Sequence, residues 1–471
     1  MSTLFGNLEI GRKALLAHQL ALQVTSNNMS NVNTPGYSRQ KAVLEEDHPN
    51  QTAAGPVGTG VVVKNIDAIR DQFIDLRLAQ GTQSAGKQQA LFNTLSRIQS
   101  VVPPGPDGLQ EGISRLFNSF ATLANNPESA ALRGSVVSAA QNLTSLFNST
   151  AQQFDEIQAS VNSSIGDAVG QVNTLASSIA ILNQQIMEAE GGGHTANNLR
   201  DQRQEYIRQM SEFLDVNYYE SSDGTFNVSV AGGHPLVTAN TAYALSAVQT
   251  APQGFFQVKA GSNDITNLIA GGKVAGWIQQ RDQGIPDYQN DLDTLANTII
   301  SQVNTQHALG TDLLGNNPGV NFFNPSPAPT PPQTLPKGAA LAFSVNAALV
   351  ADNRLIAASV SGEPGDNANA LSLAALANAK TLSGGTETFA EGYAALQFKV
   401  GTHAQSSQRA SDVQNSVLTQ LQNERDSVSG VSLDEEAIDL VRFQRAYQAA
   451  TKFISTIDQL TGELIATFGV S

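Results

Sequence analysis

Residues 433–464, LDEEAIDLVRFQRAYQAATKFISTIDQLTGEL, set the architecture. Leu433, Leu440, Tyr447 and Ile454 recur at every seventh position, and Phe443, Ala450, Ile457 and Leu464 form a second row behind them. That alternating spacing is the seam of a coiled coil. At the other terminus Leu8, Leu15, Leu22 and Met29 take the same step, with Leu16, Leu20 and Val24 widening the face. Such helices span roughly 35–55 Å, and in isolation they are marginal in water. Two unpartnered stripes at opposite ends of one chain predict termini that are finished by association.

Between them the chain changes texture several times. The N-terminal helix stops in an Asn-dense stretch holding Asn28, Asn31, Asn33, Pro35, Gly36 and Tyr37. Asn bonds its own backbone and tolerates left-handed conformations, while Pro and Gly end the helix and turn it. Residues 42–66 are turn-rich and reach the strand-like Val61-Val62-Val63. Helical periodicity returns from Asp67 to Val102, where Pro103-Pro104-Gly105 breaks it, and again over 109–125. No proline lies between Pro127 and Pro235, and an apolar row from Val136 through Phe154, Ile165 and Val172 to Ile186 keeps helical spacing. A helix over 129–190 is about 90 Å long, longer than a compact domain is wide. It predicts a rod, which Gly166 and Gly170 are placed to bend.

Residues 215–270 alternate polar and apolar, with Asp223-Gly224 and Gly232-Gly233 as hairpin signals. Helix resumes at 285–309. Seven prolines from Pro318 to Pro336 forbid regular helix, and short apolar runs in 338–362 suggest further strands. Helical patterns then run from 366 to 428. The expected fold is mainly α with a β-rich insertion: an elongated rod with a terminal coiled coil, a central helical bundle and an outer β domain. The expected segments are 1–60 with 430–471 for the coiled coil, and 61–214, 271–321 and 366–429 for the bundle. Residues 215–270 and 322–365 form the expected β domain.

Composition limits the chemistry. The 471 residues carry a net charge of −15 and only 14% charged side chains, without a basic run, which argues against nucleic acid or an anionic membrane as partner. The absence of cysteine removes thiolate catalysis, disulfides and zinc-thiolate sites. No stretch reaches the roughly 20 apolar residues of a membrane span. Glu9, Arg12-Lys13, His18 and Gln19 spoil a secretory signal. Gly81 and Gly86-Lys87 have phosphate-loop spacing, but Gln88 stands where Ser or Thr ligates magnesium. The six histidines never fall at ligand spacing, and His307 reads as a cation at a helix C-terminus. Ser432 with Glu435 has capping-box spacing, so Glu435-Glu436 marks a helix start before an acid/base pair. No catalytic, cofactor or metal site is expected.

Residues 26–40, SNNMSNVNTPGYSRQ, resemble the N-terminal signature of bacterial flagellar rod, hook and hook-associated proteins. Residues 429–445, SGVSLDEEAIDLVRFQR, are similar to the C-terminal motif of the same family, and Asn304-Thr305-Gln306-His307 is a third match. The resemblance implies a structural subunit of the hook–filament junction, exported through a type III apparatus without a cleaved signal and located outside the cell. It implies a ring of copies on the hook protein, beneath a second junction protein (hook-associated protein 3), with an export chaperone on the C-terminal helix. The heptad residues and the Asn-dense stretch are the expected assembly interface. A secreted type III translocator or adhesin is the rival reading; it needs an apolar insertion segment, and none is present.

Overall fold

The computed structural model describes residues 2–52, 55–103, 108–251, 254–317, 319–328 and 337–468. The predicted breaks at Pro104-Gly105 and at the prolines 318, 329, 331, 332 and 336 lie outside these residues. Helix α1 (Ser2–Ser30) leads through the signature to β1 (Gln40–Glu46), β2 (Asn50–Thr52), β3 (Gly55–Val57) and β4 (Val61–Ala68). Strands β1 and β4 pair antiparallel from Gln40↔Ala68 to Glu46↔Val61, and β2 pairs with β3 at the tip. A boundary at residue 60 therefore cuts a hairpin; the hairpin closes at Ala68.

The helical body follows: α2 (Gln72–Val101), α3 (Leu109–Leu123), α4 (Ala130–Glu190) and α5 (Asn197–Phe213). After the strands come α6 (Gly272–Gln279), α7 (Ile285–His307), α8 (Ala347–Ala351), α9 (Ala368–Ala375), α10 (Phe389–Ser429) and α11 (Leu433–Phe468). Their starts are written in the sequence. The carboxylate of Asp71 accepts from the first-turn amides of Phe73 and Ile74, and Thr388 with Glu391 closes a full capping box on α10.

Helix α4 is continuous for 61 residues, about 90 Å, and passes through two apolar cores. Its first half packs with α3, α7 and α10 around Phe117, Phe120, Phe147 and Phe389; Phe117 stacks on Phe389 at 5.5 Å. Its second half packs with α5, α6 and the β region around Ile165, Ile179, Met210 and Val228. At Gly166 a Cβ would sit 3.0 Å from the Phe256 ring, so this glycine lets the sheet approach.

The β region is two meanders. One orders β5 (Val216–Glu220), β6 (Phe226–Val230), β7 (His234–Thr238) and β8 (Thr241–Ala242); the other holds β9 (Leu245–Thr250), β10 (Phe255–Ala260) and β11 (Asn263–Asp264). Three asparagines of α4 fasten them by backbone contacts. Asn162 Oδ1 accepts from Phe256 N at 2.8 Å, Asn173 exchanges both bonds with Leu245 at 2.8 Å, and Asn183 does so with Phe226 at 2.8 and 3.1 Å.

The second expected β segment is corrected. Among the described residues, 322–365 form no strand, only the isolated bridge Phe323↔Val345 and a pairing of Ser359 with Thr311. Phe322, Phe323 and Phe343 are instead fully buried in the first core. Side chains take much of this backbone: Asn304 exchanges both bonds with Phe323, and Asn148 Nδ2 donates to the Ala340, Leu341 and Phe343 carbonyls, while the Phe322 carbonyl accepts from Asn346 N. A segment whose backbone groups are taken this way needs no ladder. It caps the α4 end at Ala130, where Asn353 Nδ2 donates to the Ala130 carbonyl.

His307 also differs from expectation. It ends α7 fully buried, its Nε2 accepts from Ala357 N at 2.9 Å, and burial pulls its pKa down to about 4. It is neutral, not a dipole-bound cation. The unfolded chain takes up this proton below about 6.5 while the folded one refuses it until about 4, so stability falls across that window as pH drops, by roughly 3 kcal/mol in full. Urea melts at pH 7 and pH 4.5 should show a smaller acid loss in His307→Gln than in the parent. Equal losses would remove His307 from the acid response.

Candidate assembly interface at the chain termini

The two terminal helices lie antiparallel. Gly11 sits against Ile454, the His18 ring lies 6.3 Å from that of Phe443, and Asn28 bonds Glu436. Small residues allow the approach: Ala17, Ala21 and Val24 of α1 and Ala450 and Ile457 of α11 are buried, and a Cβ on Gly11 would collide with Ile454. Leu8, Leu15, Leu22 and Met29, with Leu440, Phe443, Tyr447 and Ile454, are half-buried. The expected seam is thus largely used within one chain. Leu433 and Leu464 are not in it, being 50% and 42% exposed.

A second apolar stripe is left open. On α11 Ile438, Phe453, Leu460 and Leu464 are exposed, and on α1 Phe5 and Leu16. Phe453 and Leu460 stand one heptad apart, with Leu464 one turn further. The heptad reading missed this stripe because the first already satisfied the template; the signal was the 7–4 spacing of Phe453, Leu460 and Leu464.

The Asn-dense stretch turns inward. Asn28, fully buried, donates from Nδ2 to the Gln40 carbonyl at 2.8 Å and to Glu436 Oε2 at 3.0 Å. Its Oδ1 accepts from Gln40 N at 3.0 Å and from the Tyr37 hydroxyl at 2.8 Å. All four bonding positions of the amide are filled. Burial pushes Tyr37 up to about 12, so its hydroxyl remains a donor. Asn31 Nδ2 bonds Asn27 O at 3.0 Å and finishes α1. Gly36 holds φ +80°, a left-handed position suited to glycine, while Asn33, Thr34 and Pro35 form the exposed turn before it. Helix α11 begins at Leu433 as its spacing predicts, but Glu435 and Glu436 serve Arg39: Arg39 Nε donates to Glu436 Oε1 at 2.7 Å and Nη1 pairs with Glu435.

Gly86 lies inside α2, where a Cβ would strike the Glu212 carbonyl, and Lys87 Nζ donates to the Ala270 carbonyl, so the phosphate-loop spacing is helix packing. Among the described residues no group of His, Asp and Glu is placed to hold a metal ion. No described helix is long and apolar enough to cross a membrane.

Known proteins match this arrangement part by part. The model of the flagellar hook-associated protein FlgK helical domain matches residues 95–323. That of the flagella basal body rod protein matches 8–37, and that of the flagellar basal body rod FlgEFG protein C-terminal region matches 422–467. Flagellar hook-associated protein 1 of Bacillus subtilis is 29% identical, covering 100% of this chain and 99% of its own. That of Escherichia coli is also 29% identical, covering 99% and 100%. The hook junction protein FlgK of Burkholderia pseudomallei shares the fold at a TM-score of 0.67 and 21% identity, over 75% of this chain and 100% of its own. The rod-protein matches fall on the two terminal helices and the FlgK match on the helical body, so the chain carries the domains of a structural component of the bacterial flagellum. Over its full length the chain is a homologue of proteins named flagellar hook-associated protein 1.

Proposed function

We propose that this chain is a subunit of the hook–filament junction that assembles as a ring on the distal hook through its terminal helices. The observation that carries the reading is the second apolar stripe of α11, which stays exposed after α1 has covered the first. A fully buried side chain of this size contributes about 1.5–3 kcal/mol, and a row of them on a helix seeks a partner. In this reading Phe5, Leu16, Ile438, Phe453 and Leu460 meet neighbouring copies. The uncovered parts of Leu8, Leu15, Leu22, Met29, Leu440 and Tyr447 add to the contact. The Asn-dense stretch holds the pair in shape. Residues 2–68 and 430–468 act as the terminal unit, the helices between as the rod, and 215–270 as a β region beside it. The hook protein lies below and a second junction protein above; an export chaperone takes the C-terminal helix before assembly, and export proceeds without a cleaved signal. Electron microscopy of isolated hooks from cells with and without the chain tests this: added density at the distal end is expected only with it, and identical hook ends would refute the placement.

A further inference from the structure

The terminal unit and the helical body are joined by two chain crossings, Ile69–Asp71 before α2 and Gly430–Ser432 before α11. Arg39 ties the two together: its N–H donates to the Ser429 carbonyl and its carbonyl accepts from Ile69 N, both at 2.8 Å. Neither apolar core contains a residue of 2–68 or 430–468. Two crossings define an axis. On one side of it lies an open cleft of about 460 Å³, lined by Asn33, Asp75, Arg208 and Arg425, which Arg425 Nη2 spans to the Gly36 and Tyr37 carbonyls at 2.8 and 3.1 Å.

A third support comes from the first turn of α5. Asn197 Nδ2 donates to the Ile66 carbonyl at 2.6 Å, and Gln40 Nε2 donates to Asn198 Oδ1 at 2.8 Å. Ser38 donates from N to Asp201 Oδ2 at 3.1 Å and from Oγ to Asp201 Oδ1 at 2.7 Å. Arg70 Nη2, inside the first crossing, donates to the same Oδ1 at 2.6 Å. The Asp201 side chain is only 10% exposed. It thus holds the signature and the crossing on one carboxylate, and charge-assisted bonds of this kind are the stronger and more directional ones. With the Arg425 contact, these bonds fix an angle that two crossings alone leave free.

We propose that Asp201 is a positioning residue that sets the angle between the terminal helix pair and the rod. It touches no partner; it acts through Ser38 and Arg70 by denying the terminal unit its swing toward the cleft. The inference concerns the isolated molecule and stands or falls apart from the assembly reading.

The cysteine-free chain allows a direct test. Spin labels on Gln171→Cys and Gln444→Cys, both exposed, report the distance between α4 and α11. The parent should give one narrow distance distribution. In Asp201→Ala it should broaden and shift, with helix content and the melting of the body unchanged. Asp201→Asn, which keeps one of the two acceptors, should fall between. If Asp201→Ala also lowers the melting of the body, Ser38→Ala carries the same test from the terminal side, leaving α5 intact. A distribution as narrow as the parent's in both Asp201→Ala and Ser38→Ala would overturn the proposal.

Discussion

Phe453→Asp is expected to abolish attachment to the hook at a smaller cost to the monomer than Ile454→Asp. Phe453 is 42% exposed and Leu460, one heptad on, is 47% exposed; one edge of the Phe453 ring lies against Gly11 of α1, and the rest of both side chains stays open. Burying what remains open against a neighbouring copy gains about 1 kcal/mol for such a side chain, a little under half of the full-burial value. A carboxylate in its place forfeits that gain and must be desolvated as well, so association should weaken by about 100-fold or more. Cells carrying the variant should secrete filament protein without polymerising it. Ile454→Asp is the informative contrast. Ile454 packs on Gly11 of the same chain, so a charge there should loosen the terminal pair already in the monomer. Gln459→Glu, on an exposed position, should be mild. Normal junctions with Phe453→Asp would show that the open stripe is not the contact.

Arg133→Met should lower the stability of the body by roughly 3–5 kcal/mol, two strongly bonded buried acceptors each losing about 1–3 kcal/mol. Arg133 is 1% exposed. Its Nε donates to the Pro127 carbonyl at 2.6 Å and its Nη1 to the Ile356 carbonyl at 2.7 Å, with longer approaches to Asn353 and Arg354. Burial lowers its pKa to about 10, so it is still charged at neutral pH. Met keeps the apolar stem and removes the donors. Urea unfolding measures the loss, and early proteolysis within 350–357 should accompany it. Arg354→Ala, whose ion pair with Asp352 is exposed, is the control and should change little. If the two variants unfold alike, the carbonyl cage around Arg133 is not what holds the cap to α4.

The long helices were legible because their signal is periodic and local. The reading of 129–190 differs from Ala130–Glu190 by one residue at the start. The meanders of 215–270 were legible from alternation and from hairpin glycines. Residues 322–365 were not, because an apolar run does not say who will satisfy its backbone. Here the partners are Asn148 and Asn304, remote in sequence and unremarkable in their own helices. The signature was legible as unusual, but not its direction. That Asn28 faces Glu436 and Ser38 faces Asp201 depends on separations of 408 and 163 residues. His307 illustrates the same limit: position on the helix suggested a cation, and burial by distant Phe322 and Ala357 made it neutral.

The asparagines of α4 have a consequence for how this protein can diversify. Asn162, Asn173 and Asn183 grip main-chain atoms of the strands and so do not depend on which side chains those strands carry. The outward residues of the meanders, such as the exposed Tyr219, Tyr243 and Val248, can be exchanged without disturbing the attachment. An appendage held by its backbone is free to change its face. Those outer side chains can drift while the long helix beneath them keeps the same three handholds.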